Sequence, residues 1–126
     1  MVKKLILIMF SALAILALSA CAQKKLSLDE VDTVPKKVTE AINPDDQLQM
    51  INKNGKVNYI VFQSREDVKA SLESADKTAL IKLDEMDASD NELKQYIYTL
   101  TIDQSHDTIE IKVNGESTPY PMTIID

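Results

Sequence analysis

The feature that most restricts this chain's fold is an apolar alternation of period two, which begins near residue 46 and recurs to the end of the 126-residue sequence. A period of two places successive side chains on opposite faces of a pleated strand, so it selects sheet over helix. In "QLQMINKNGKVNYIVFQ" the pair Asn54-Gly55 separates two such segments. Asn-Gly supplies the positive φ angles of a two-residue hairpin turn, which predicts strands near 47–53 and 56–63. The second strand carries Val57, Tyr59 and Val61 on one face and Ile60 and Phe62 on the other. With apolar residues on both faces, it belongs in the middle of a sheet.

The alternation returns in "LKQYIYTLTID", where Tyr96, Tyr98, Leu100 and Ile102 interleave with Ile97, Thr99 and Thr101. In "DTIEIKV" Ile109, Ile111 and Val113 point inward, with Glu110 and Lys112 outward. A second Asn-Gly, at 114 and 115, starts the loop to "YPMTIID", where Tyr120, Met122 and Ile124 share a face. Pro119 and Pro121 have no amide hydrogen for a ladder, so this last segment is expected at a sheet edge. The stretch 64–86 is open to two readings. Ser64 and Asp67 fit a helix capping box and Val68 and Leu72 a helical spacing, which allows a helix over 64–74. Val68, Ala70 and Leu72 also alternate, and Ala75-Asp76-Lys77 is a good turn before Ala79, Ile81 and Leu83, so a strand hairpin is preferred.

About seven short strands with turns every eight to twelve residues predict an all-β fold: a small antiparallel β-sandwich, immunoglobulin-like in the first instance. A small β-barrel or an α+β fold with the 64–74 helix is the alternative. The immunoglobulin markers are missing, since the chain has no tryptophan and a single cysteine. Ahead of the strands, "PKKVTEAI" predicts a short helix: Pro35 suits a first turn, Val34, Val38 and Ile42 repeat every four residues, and Asn43-Pro44 stops it. Residues 35–126 thus read as one β-rich domain.

The first 21 residues follow another logic. Lys3 and Lys4 precede "LILIMFSALAILALSA", a charge-free run of 16 residues over 5–20. At 1.5 Å per residue that run covers roughly 24 Å, less than the roughly 30 Å of hydrocarbon a permanent span must cross. A basic start and an apolar run of this length predict a cleaved signal peptide over 1–20. The residues at the junction, Leu18, Ser19, Ala20 and Cys21, resemble the lipobox of bacterial lipoproteins. The resemblance implies a diacylglycerol on the Cys21 thiol, cleavage before it, and residence on the extracytoplasmic face of the cell membrane. Two or more acyl chains hold a protein on a bilayer far more durably than one. Residues 22–34, mixed in charge and without a sustained period, read as a tether behind the lipidated cysteine.

Charge narrows the partners. All 20 acidic residues follow Cys21 and 12 of the 14 basic ones do, so the chain beyond the signal carries −8. That sign repels phosphate backbones, and Arg65 is the only arginine, so nucleic acid is excluded as a partner. Without a second cysteine there is neither a disulfide framework nor a thiolate metal site.

Few residues suggest chemistry. The stretch 84–92, "DEMDASDNE", gathers Asp84, Glu85, Asp87, Asp90 and Glu92. Oxygen ligands on a flexible loop suit calcium, so Asp84, Asp87, Asp90 and Glu92 are candidate ligands, although the spacing lacks the glycine of an EF-hand. Cofactors are otherwise expected to be absent. Ser105-His106-Asp107 has triad residue types, but a triad converges through space and neighbours in sequence do not, so a turn is expected there. Tyr96 and Tyr98 are expected in the core rather than on a binding platform. The expected function is a non-catalytic binding or adaptor domain at the cell envelope, contacting a protein or peptide through the 84–92 and 114–121 loops. The alternatives are a small envelope enzyme, a hydrolase or prolyl isomerase using His106 with a carboxylate from a distant strand, and a weak calcium-binding module.

Overall fold

The alternation beyond residue 46 is realised as two β-sheets in a computed structural model, which describes residues 25–126 apart from 89. Chain order is β1 (Ser27–Glu30), α1 (Lys36–Ala41), β2 (Leu48–Lys53), β3 (Val57–Ser64), β4 (Asp67–Ala75), β5 (Thr78–Met86), β6 (Lys94–Thr101), β7 (Thr108–Val113), β8 (Glu116–Ser117) and β9 (Met122–Ile125). One sheet has the order β1-β6-β3-β2-β9 and the other β4-β5-β7-β8. They pack as an unclosed sandwich with one short helix, so the barrel is not formed and 64–74 holds a strand in place of the alternative helix.

The sandwich core joins Leu48, Met50, Ile60, Phe62, Tyr98 and Leu100 of the larger sheet to Ile81, Leu83 and Ile111 of the smaller. Strand β3 is central, as its two apolar faces require. Ile60 and Phe62 enter the sandwich, while Tyr59 and Val61 meet α1 on the far side through Val38, which is fully buried. A six-residue helix is too short to persist alone and is held by this contact.

Turn chemistry sets the registers. Asn54 and Gly55 have φ of 57° and 68°, Asn114 and Gly115 of 52° and 83°. These left-handed values let the hairpins close with a twist that matches the strands. Asp76, at φ 54°, turns β4 into β5.

Four features depart from the sequence expectations. Among the described residues there are nine strands, and two pairings are parallel, β2 with β9 and β5 with β7. Residues 27–30, expected in the tether, pair with β6 from Ser27↔Thr101 to Glu30↔Tyr98 because Leu26 and Leu28 pack onto the sandwich core. Asp84, Glu85 and Met86, expected in a loop, complete β5. Ser64, read as a possible helix cap, instead donates its hydroxyl to the Glu85 carboxylate and accepts the Glu66 amide at 3.0 Å, shaping the corner from β3 to β4. Among the described residues no helix is long and apolar enough to cross a membrane.

Candidate functional site

The sandwich has two ends with different chemistry. At one end the strands β2 and β3 of the larger sheet and β5 and β7 of the smaller diverge around a cleft of about 640 Å³. That volume lies within the range of small-molecule and peptide pockets. Leu48, Phe62, Val113, Pro119 and Pro121 give it an apolar floor, and Asp46, Glu85 and Glu116 add carboxylates. A clasp ties its smaller-sheet wall together. Asn114 Oδ1 accepts the Glu85 amide at 2.8 Å, and Asn114 Nδ2 donates to Glu85 Oε1 at 2.9 Å. The Asn-Gly turn therefore serves twice: its geometry forms a hairpin, and its amide side chain fastens the end of β5. Of the two segments that the sequence nominated as contact elements, 114–121 lines this cleft, whereas 84–92 contributes only Glu85, from the end of strand β5.

Gln49, which the sequence reading passed over, builds the neighbouring corner. Only 3% exposed, it accepts the Asn43 amide at 2.9 Å and donates to the Asn43 carbonyl at 2.7 Å. The signal was a lone amide inside the run Leu48-Gln49-Met50-Ile51, since a buried amide needs partners that only a folded-back backbone supplies.

The other end is closed by the crossing from β6 to β7. Here the imidazole of His106, its side chain 7% exposed, lies between two partners. Its Nδ1 is 2.5 Å from Asp103 Oδ1, and its Nε2 is 2.6 Å from Ser74 Oγ. Ser74 comes from β4, 32 residues away in sequence. The same Asp103 oxygen accepts the Ser105 hydroxyl at 2.8 Å and amide at 3.1 Å. These donors, the imidazole foremost, hold the Asp103 carboxyl below its ordinary value. The carboxylate that reaches His106 is therefore three residues away rather than on a distant strand, and the distant contributor is a serine. Ser105-His106-Asp107 forms a turn segment, in which the Asp107 amide donates to the Lys77 carbonyl at 2.9 Å and pins the crossing to the β4–β5 hairpin.

The acidic residues are dispersed. Asp90 pairs with Lys94 at 3.3 Å, Glu85 is engaged by Ser64 and Asn114, and among the described residues no group of three or more histidine, cysteine or acidic side chains is gathered as for a metal ion. Of the candidate ligands, Asp84 is exposed on β5, while Asp87, Asp90 and Glu92 lie exposed beyond its end. Tyr98 is buried in the core and the Tyr96 hydroxyl donates to the Glu66 carbonyl at 2.9 Å, so neither forms an exposed platform. The signal peptide 1–20, the lipobox residues Leu18, Ser19 and Ala20, and Cys21 lie outside the described residues. No family model, curated protein or solved structure matches the chain.

Proposed function

We propose that the chain is an extracytoplasmic lipoprotein, held on the cell membrane through acyl chains on Cys21, whose β domain is a binding or adaptor module. The observation that carries the binding part is the meeting of Glu85 with the 114–121 loop in one cleft, clasped at Asn114. The anchoring part is supported by the sequence around Leu18-Ser19-Ala20-Cys21. The cleft suits an extended peptide of an envelope protein with apolar and basic side chains: Pro119, Pro121 and Val113 offer apolar contact, and Asp46 and Glu116 sit beside them. Such a ligand also complements the −8 of the chain beyond the signal.

A photo-crosslinking residue placed at Thr118, within the cleft wall, tests this in intact cells, with Lys36 on α1 as the control position. Capture of one defined envelope protein from 118 alone supports the reading. Equal capture from both positions, or none from either, removes it. Cys21→Ser tests the anchor separately: the expected product is unacylated and leaves the membrane fraction.

A further inference from the structure

The two ends of the sandwich are about 20 Å apart along β5, from Ala79 beside Ser74 to Glu85 beside Asn114, counting six residues at about 3.3 Å each. The histidine end therefore has a chemistry of its own, independent of the binding cleft. We propose that Ser74, His106 and Asp103 form a nucleophilic triad that cleaves unhindered carboxylic esters.

The partners of the imidazole fix its tautomer. An ionised carboxylate only accepts hydrogen bonds, so the Asp103 contact places the imidazole proton on Nδ1. In the neutral imidazole Nε2 then carries the lone pair and accepts the Ser74 hydroxyl proton. This is the order of roles in which the acid orients the base and the base activates the hydroxyl. Burial differs among the three in the same sense. Ser74 is exposed and open to a substrate, whereas the imidazole is shielded from water by the crossing that carries it.

The backbone adds one electrophilic group. Ala75 and Thr78 flank the two-residue turn, so they form the hydrogen-bonded pair of the hairpin, and the adjacent Ser74↔Ala79 pair does not exchange bonds. Among the described residues strand β4 has β5 as its only neighbour in the sheet. The Ser74 amide is consequently directed to the open edge of β4, where it meets an oxyanion formed at its own Oγ. A single donor in place of two costs about 10²–10³ in rate, which favours esters over the less reactive amides.

In the reaction Ser74 Oγ bonds to the carbonyl carbon as its proton passes to Nε2. The carbon–oxygen bond to the leaving alcohol breaks, and the Nε2 proton goes to that alkoxide. Water then attacks the acyl-serine carbon, gives a proton to Nε2, and the carboxylic acid leaves as that proton returns to Ser74 Oγ.

Full-length protein in detergent, incubated with a fluorophosphonate probe and with 4-nitrophenyl butyrate, provides the test. The expected result is a probe adduct mapped by mass spectrometry to Ser74, with release of 4-nitrophenol. Ser74→Ala should lose both, while Ser71→Ala on the same strand should retain both. His106→Gln and Asp103→Asn should each lower labelling and turnover at least about 100-fold. Asp103→Asn keeps the shape of the site and decides the matter if His106→Gln fails to fold. Absence of a Ser74 adduct on the folded wild type, or equal labelling of folded Asp103→Asn, overturns the proposal.

Discussion

Replacing Tyr98 by phenylalanine should stabilise the protein, a result opposite to that of most core substitutions. Tyr98 is 2% exposed in the sandwich core, and among the described residues its hydroxyl meets no hydrogen-bond partner. Burying a hydroxyl without a partner costs about 1–3 kcal/mol. Removing the oxygen recovers that cost and forfeits a few dispersion contacts of about 0.1–0.2 kcal/mol each, for a net gain of about 1 kcal/mol. For a domain of this size, 1 kcal/mol moves the melting temperature by roughly 4–8 °C. The assay is thermal and urea unfolding of the chain from residue 22 onward, wild type against Tyr98→Phe at neutral pH. A melting temperature that falls, or a urea midpoint that does not rise, refutes the reasoning. It would mean that the hydroxyl is bonded after all, for instance to a buried water.

Alkaline titration gives the same substitution a second readout. Burial raises the Tyr98 phenol to about 12, and raises Tyr96 and Tyr120 above their ordinary value as well. Below the unfolded value near 10 the phenol is protonated in both states and stability does not depend on its titration. From there towards 12 the unfolded chain releases protons that the native state retains, so stability falls as pH rises. Tyr98→Phe should flatten that fall, and urea midpoints from pH 8 to 11 measure it. An unchanged slope would show that Tyr98 remains exposed enough to ionise in the native state.

Three shorter expectations follow from the same geometry. Gln49→Leu keeps the volume but strands the amide and carbonyl of Asn43, so urea unfolding should show a loss of about 1–3 kcal/mol. Asn114→Ala removes both bonds of the clasp and leaves at a φ of 52° a residue less suited than asparagine to left-handed backbone; a loss of about 1–2 kcal/mol and of crosslinking at residue 118 is expected. Millimolar calcium should leave the melting temperature unchanged, because the described carboxylates are dispersed or already paired, and a saturable rise would show that Asp84, Asp87, Asp90 and Glu92 gather around the ion.

What the sequence revealed depended on the range of each interaction. The Asn54-Gly55 hairpin was legible because its turn, its alternation and its register all lie within 17 consecutive residues, Leu48 to Ser64. The hairpin of β4 and β5 was legible for the same reason, once Asp76 is allowed its positive φ. Strand β1 was missed because only Leu26 and Leu28 mark it, and two apolar residues among charges declare a strand only when β6 stands beside them. Both parallel pairings were illegible, since neither partner in β2–β9 or β5–β7 carries a local mark of the other. The triad divides along the same line. Asp103 and His106 are local, and the turn between them was expected, but Ser74 reaches them only through the pairing of β4 with β5 and of β5 with β7.

The position of β1 also orients the two ends, granted the lipid on Cys21. Only residues 22–26 separate that cysteine from Ser27, and six steps of about 3.3–3.6 Å give a reach of at most about 22 Å. Ser27 pairs with Thr101, at the end of β6 from which the His106 crossing departs. A lipid on Cys21 would therefore hold the histidine end toward the bilayer and the cleft toward the envelope space. Esters reaching Ser74 would come from the membrane side, and the cleft's peptide from the opposite side. A flexible insertion of about ten residues between Lys25 and Leu26 separates these dependences. Capture at residue 118 should persist, because the cleft already faces away from the membrane. Turnover of a soluble ester should persist as well, whereas turnover of an ester presented in vesicles should fall. Equal loss of both ester activities would show that the insertion had disturbed β1 itself, and an undiminished vesicle activity would remove the orientation argument.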